Sequence, residues 1–310
     1  MLPRDARLYV AGRRGLAGSA VVRAAQAAGF TDVVGATSDE LDLRDRAAVF
    51  EHLLDLRPTA LVLAAARVGG ILANSSRPAD FISENLQIQV NVMDAAARAG
   101  VRRLLFLGSS CAYPKFAGQP IRESSLLQGS VEPTNEAYAV AKIAGLMQVR
   151  AVRNQLGLPW ISAMPTNLYG PGDNFDPHGS HVVPGLIRRL HDAERHGAGT
   201  VELWGSGTPR RELLHADDLG SAVIHLLDHY DDPEPINVGS GFDVAISDLA
   251  AMIAGVVGFR GLIVPDRRRP DGTPRKLLET TRIRGLGWQP TVELRDGLAD
   301  TYAWFLEHAC

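Results

Sequence analysis

Short apolar runs rich in aliphatic and β-branched residues alternate, through the first half of the chain, with longer segments whose apolar positions recur every three or four residues. Arg7–Ala11, Asp32–Ala36 and Ala60–Ala65 read as strands, and Ala17–Ala28 and Asp45–Leu56 between them as helices. A helix follows near Pro78–Arg98, then a strand at Leu104–Leu107. The next pair is a helix over Glu136–Gln155, stopped by Gly157, and a strand at Trp160–Met164. Beyond Tyr169-Gly170-Pro171-Gly172 the alternation loosens. Glycine and proline punctuate the chain there, with helices expected at Val182–His196, Asp217–Asp228, Ile246–Val257 and Leu294–Glu307.

Strand and helix in steady succession are the rhythm of a parallel sheet covered by helices. The expected fold is α/β: a doubly wound parallel-sheet Rossmann domain over residues 1–168, to which the chain returns around 214–242, and a smaller, discontinuous α/β substrate domain over 169–310. The 310 residues are ample to bury a core in two such lobes. A formal charge of −3, without runs of like charge, implies neither nucleic acid nor an anionic membrane as partner, which leaves a small ligand. The two cysteines, Cys111 and Cys310, are too few for a disulfide framework. With no signal peptide or long apolar stretch in view, the expectation is a reduced, cytoplasmic protein that meets no membrane and holds no metal.

The first strand runs into Gly12-Arg13-Arg14-Gly15-Leu16-Ala17-Gly18, a G-x-x-G-x-x-G form of the dinucleotide fingerprint. Its glycines permit a tight turn and close approach, so a pyrophosphate can rest on the amides at the positive end of the helix. The plainer reading is a glycine turn without a ligand. A carboxylate after the second strand would grip the ribose 2′-hydroxyl of NAD, but the stretch here is Gly35-Ala36-Thr37-Ser38, with no carboxylate before Asp39. Arg14, within the turn, suits a 2′-phosphate, which favours NADP(H). Asp42 either touches the adenine edge or caps the next helix.

Tyr138 and Lys142 stand four residues apart in the first turns of one helix, so they share a face. An ammonium beside a phenol favours the phenolate below its ordinary pKa of about 10, and such a pair can pass a proton to a ketone during reduction. Its plainer reading is an ordinary amphipathic helix. Ser109 follows the fourth strand, at the carboxyl edge where open α/β sheets bind ligands. There its hydroxyl either shares the substrate carbonyl or closes a turn on the backbone.

Together the fingerprint, Ser109, Tyr138 and Lys142 resemble the short-chain dehydrogenase/reductase superfamily, and the length resembles its extended, nucleotide-sugar-modifying branch. Longer strings narrow this: 104–111 (LLFLGSSC), 132–136 (EPTNE), 164–174 (MPTNLYGPGDN) and 204–212 (WGSGTPRRE), with 64–70 (AAARVGG) and 270–276 (PDGTPRK). These resemble the GDP-L-fucose synthase family over nearly the whole chain. The resemblance implies conversion of GDP-4-keto-6-deoxy-D-mannose to GDP-L-fucose by epimerisation at C3 and C5, then reduction at C4 with NADPH. It implies Cys111 as the epimerase base and His181, within Ser180-His181-Val182-Val183-Pro184, as the acid. By residue chemistry alone, a thiol near cations reaches its thiolate and imidazole titrates near neutrality. Equally, a free cysteine packs in cores, and His181 suits a cap or the surface, with His178 a rival beside it.

By the same resemblance Arg189 and Arg211, ahead of Arg188, hold the diphosphate of the GDP-sugar, with Trp204 near its nucleotide or sugar and Asp271 on the GDP part. Cofactor contacts are implied at Gly12, Arg13, Arg14, Gly15, Leu16, Ala17 and Gly18, at Leu107, Gly108, Ser109 and Ser110, at Lys142, at Pro165, Thr166, Asn167 and Leu168, and at His181. A homodimer through the helices around Ala79–Arg98 and Glu136–Gln155 is implied as well. Family members tend to carry an arginine after the second strand, where this chain has Ala36 and Ser38, so weaker discrimination against NADH is expected than in a member that carries it. A 4,6-dehydratase would place acidic residues where Ser110 and Cys111 stand. A GDP-colitose synthase, acting on the 3-deoxy analogue, would look almost the same, and an NADP-sensing regulator would not need Ser109, Tyr138 and Lys142 intact.

Overall fold

The computed structural model describes residues 1–177, 179–269 and 271–310; His178 and Pro270 lie outside the described residues. A six-stranded, wholly parallel sheet runs through the larger lobe in the order Val33–Val34, Leu8–Ala11, Ala60–Leu63, Arg103–Leu107, Ile161–Pro165, Ile236–Val238. From Leu8–Ala11 the chain first steps outward to Val33–Val34, then crosses to Ala60–Leu63 on the other side. The carboxyl ends of those two central strands therefore flank the switch point, where connections diverge and a crevice opens.

Alternate strand residues feed two cores, which is why these strands read as nearly unbroken apolar runs. Leu8, Val10, Val62 and Leu105 pack with Val21 and Ala25 of the helix Leu16–Ala27 and with Leu219 and Val223 of the helix Ala216–His229. Tyr9, Leu61, Leu63 and Phe106 face the helices Arg46–Leu56, Pro78–Arg98 and Glu136–Leu156 through Leu53, Val92, Met93 and Leu146. Helix Glu136–Leu156 ends at Gly157, whose φ of +67° is the left-handed turn a glycine makes without strain.

A third core belongs to the smaller lobe, where Leu186, Leu190, Leu249, Ile253 and Phe305 join the helices Val182–Arg195, Ile246–Val257 and Leu294–His308. Its strands were not legible in the sequence pattern. Thr200–Trp204 pairs with Leu262–Asp266, and Arg210–His215 is flanked by Asn167–Tyr169, Asp243–Ala245 and Arg275–Lys276. These are short, and several carry charged residues on an open face, so neither length nor apolar content marks them. The helices Ile71–Ser76 and Thr281–Gly285 escaped for a similar reason, being too short to show a 3.6-residue period. Among the described residues no helix is long and apolar enough to cross a membrane, and no group of three His, Cys, Asp or Glu is placed to hold a metal ion.

Candidate active site

The chain leaves its first strand through Gly12, at φ +84°, where a Cβ would stand 2.8 Å from the backbone of Ala65. Only glycine fits that turn. Gly15 N donates to Gly12 O at 3.0 Å, and a Cβ on Gly18 would overlap the same carbonyl. Helix Leu16–Ala27 opens at Gly15 with no side-chain capping bond, so its first amides and its positive dipole end suit an anion such as a pyrophosphate. The residues present therefore fit a dinucleotide. Beside the turn, Arg13, Arg14, Ser19, Arg23, Thr37 and Glu40 line an open cleft, with Arg13 Nη1 donating to Gly35 O at 3.1 Å.

Glu40 is a carboxylate the sequence pattern did not single out. Its Oε2 accepts from Thr37 N at 2.8 Å, and the Thr37 bonds first, then the charges of Arg14 and Arg13, hold its carboxyl below the usual range. Asp42 is not the helix cap that was one of its two readings. It binds Arg44, and Asp45 caps instead, accepting from Ala48 N at 3.1 Å.

Lys142 is buried, and its Nζ donates to Leu107 O at 2.8 Å and lies 5.8 Å from the centre of the Tyr138 ring. This reach depends on Gly145, where a Cβ would overlap the Phe106 ring, so the helix lies directly on the strand Arg103–Leu107. Burial pulls the Lys142 ammonium down to about 7 and pushes the Tyr138 phenol well above its ordinary value, with the nearby Cys111 also raising it and the Ser109 hydroxyl lowering it. The expected lowering of the phenol by the ammonium is thus corrected, because the same low-dielectric pocket that brings the two together disfavours both charged forms.

Ser109 Oγ accepts from Cys111 N at 3.1 Å, so it closes a turn and also faces Tyr138. Gly108 N donates to Ala163 O at 2.8 Å, which holds Leu107–Ser110 across the strand ends, with Ser110 buried. Cys111 Sγ stands 3.5 Å from Lys276 Nζ. Burial alone would raise this thiol, but Lys276, then Ser109 and Arg211, more than reverse it and leave it below its ordinary value. Lys276 was missed: it lies in the 270–276 string, and nothing local ties it to a cysteine 165 positions earlier.

His181 is the N-cap residue of the helix Val182–Arg195. Burial lowers its imidazole, opposed by a bond with the Gly69 backbone, and Gly70 N donates to Gly179 O at 3.1 Å across the same junction. Asn167 Nδ2 and Thr166 Oγ1 both donate to Glu212 O, at 2.8 and 3.3 Å, which ties Pro165–Leu168 to the strand Arg210–His215. Leu168 packs on the larger lobe's core.

The remaining candidates fall into two groups. Arg211 is near Cys111, with Nη1 donating to Thr273 O at 2.6 Å; burial lowers its guanidinium while Cys111, Glu132 and Asp271 oppose this. Arg189 lies 4.9 Å and Arg269 4.8 Å from the centre of the Trp204 ring, and Asp271 accepts from Ser206 N at 2.9 Å and Ser206 Oγ at 2.7 Å. Arg188 points elsewhere, donating to Ala309 O at 3.4 Å. The structure thus gathers Ser109, Cys111, Tyr138, Lys142 and Arg211, adds Lys276, and sets Arg189, Trp204 and Asp271 alongside.

Residues 8–239 match the model of the NAD dependent epimerase/dehydratase family. Over 98% of its length the chain is 56% identical to the probable GDP-L-fucose synthase 1 of Oryza sativa subsp. japonica, of which 93% is covered. It is 50% identical to the GDP-L-fucose synthase of Escherichia coli (strain K12), over 97% of each chain. A solved GDP-L-fucose synthetase from Naegleria fowleri bound to NADP superposes with a TM-score of 0.91 at 28% identity, over 99% of this chain and 96% of that one.

Proposed function

Because the chain belongs to the NAD dependent epimerase/dehydratase family, and within it to the GDP-L-fucose synthases, we propose that it converts GDP-4-keto-6-deoxy-D-mannose to GDP-L-fucose. The observation that carries this reading is the meeting of two sets of groups: Ser109, Tyr138 and Lys142 for a carbonyl, and Cys111 beside them with cations from the second lobe. A simple reductase needs only the first set.

Epimerisation beside the C4 ketone requires a base and an acid on opposite faces of the sugar. Cys111, as thiolate, takes the proton from carbon to form S–H, and the C–H electron pair moves into an enolate whose oxygen is held by the Ser109 and Tyr138 hydroxyls. His181 returns a proton to the other face, and the enolate electrons re-form the C–H bond. NADPH, when bound, supplies the hydride that reduces C4. Tyr138 then gives its O–H proton to the C4 oxygen, and Lys142, which its Leu107 bond fixes below the ring, restores it. Lys142 also suits the nicotinamide ribose, while the Gly12–Gly18 turn takes the pyrophosphate and Arg14 the 2′-phosphate.

The lobes divide the work: residues 1–168, with 214–242, hold the cofactor, and 169–310 mainly hold the GDP-sugar, with Arg189 and Arg211 on the diphosphate, Trp204 near the nucleotide or sugar and Asp271 on the GDP part. Two chains pair through the helices Pro78–Arg98 and Glu136–Leu156. Supporting this, Val140 is exposed and Ile143, Ala144 and Met147 only partly buried along one face of the second helix.

Two variants test the scheme with GDP-4-keto-6-deoxy-D-mannose in D₂O. Cys111→Ser is expected to bind NADPH normally yet lose deuterium entry at C3 and C5. Tyr138→Phe is expected to lose about 10²-fold or more in NADPH oxidation, with deuterium entry slowed less, because Ser109 still holds the enolate oxygen. Undiminished exchange in Cys111→Ser would remove the thiol from the reaction.

A further inference from the structure

Lys276 and Arg211 lie side by side because the strand Arg275–Lys276 runs parallel to Arg210–His215, with Lys276 in register with Arg211. Lys276 is then delivered to the larger lobe by three backbone anchors around it. Leu278 N donates to the buried Glu212 carboxylate at 2.8 Å, Leu277 N to Gln119 Oε1 at 2.9 Å, and Ile121 N to Leu277 O at 2.8 Å. Glu212 also accepts from Gly241 N at 2.7 Å, so a carboxylate with no exposed surface spends its charge on fixing main chain. The result is an ammonium 3.5 Å from the Cys111 sulfur. Other groups facing that sulfur are the Arg211 guanidinium, also cationic, and the neutral hydroxyls of Ser109 and Tyr138. The nearby carboxylates act one step removed: Glu132 is 3.0 Å from Lys115 Nζ, and Asp271 is engaged by Ser206.

We propose that Lys276 is a positioning residue of the epimerisation, holding Cys111 as the thiolate that takes the proton from carbon. The inference rests on the reading of Cys111 as base and deepens it. Lys276 does not touch the reacting carbon. Its ammonium offsets the cost of a sulfur anion in a partly buried pocket, and it reaches that pocket only when the two lobes are assembled. The base is thereby charged only where a substrate held between the lobes can use it, and a free thiolate is not displayed to solvent.

The experiment follows alkylation of Cys111 by iodoacetamide against pH, read by peptide mass spectrometry in the full chain carrying Cys310→Ser. Lys276→Met is expected to raise the titration midpoint by about one unit, slowing alkylation at neutral pH about tenfold. Lys276→Arg, which keeps the charge, is expected to hold the midpoint within a few tenths of a unit, and NADPH binding is expected to be unchanged in both. Deuterium entry at C3 and C5 should fall in Lys276→Met and recover as pH is raised, which a purely structural lesion would not do. An unchanged midpoint in Lys276→Met, or an equal shift in Lys276→Arg, overturns the inference while leaving Cys111 as base. Undiminished exchange in Cys111→Ser removes the base itself and is seen independently of any titration.

Discussion

Two charged residues show how one contact changes what a motif means. Arg14 suits a 2′-phosphate, yet Glu40 folds back through its Thr37 bond into the same cleft and faces both Arg13 and Arg14. A 2′-phosphate entering this cleft meets a carboxylate as well as two guanidinium groups, whereas a 2′-hydroxyl can donate to that carboxylate. Glu40→Gln is therefore expected to raise the ratio of kcat/KM for NADPH over NADH several-fold, mainly through a lower KM for NADPH. Steady-state kinetics with both cofactors at low ionic strength checks this, since screening weakens the effect in salt. Lys142 is a second case: its spacing from Tyr138 was plain in the sequence, but its displacement to about 7 comes from burial. The motif supplied the pair, and the surrounding apolar side chains set its protonation.

At the scale of elements, the helix Glu136–Leu156 positions Tyr138 and Lys142, and it does so by lying directly on the strand Arg103–Leu107. Gly145 makes room for the Phe106 ring, and Gln89 of the neighbouring helix locks the contact by donating to Ala141 O at 2.7 Å. Gly145→Ala adds helix propensity worth about 1 kcal/mol but forces a methyl group into an aromatic ring, for which overpacking costs about 1–3 kcal/mol. The net expectation is destabilisation of about 1 kcal/mol in urea unfolding, with a larger loss of reductase turnover, because Lys142 and Tyr138 are lifted from Leu107 and Ser109. Turnover that matches the parent would show that this close approach does not position the pair. The helix itself was legible over Glu136–Gln155, one residue short of its end at Leu156, because its caps and period are local. The strands of the smaller lobe were not, since each becomes a strand only by pairing with another far along the chain.

For the whole molecule, the two helices that flank the site on the larger lobe also carry the face through which two chains are inferred to meet. Val140→Arg puts a charge at an exposed apolar position of that face without entering the core, and it is expected to convert a species of twice 33.3 kDa into one of 33.3 kDa by light scattering. Cofactor binding should survive, because the helix Leu16–Ala27 that follows the Gly12–Gly18 turn packs in the core on the other face of the sheet from that helix pair. A parent chain already monomeric at micromolar concentration would refute the pairing. What the sequence determined by itself was whatever repeats or closes within a few residues: the strand and helix alternation, the glycine turn at Gly12, and the shared face of Tyr138 and Lys142. Tertiary structure alone decided which groups face each other across long separations: Lys276 against Cys111, Glu40 against Arg14, and Glu212 beneath the strand that carries Lys276. The physical reason is that periodicity and turn chemistry encode direction only along a single element. Distance between elements is set by how their apolar faces pack, and electrostatic character follows from that distance and from burial.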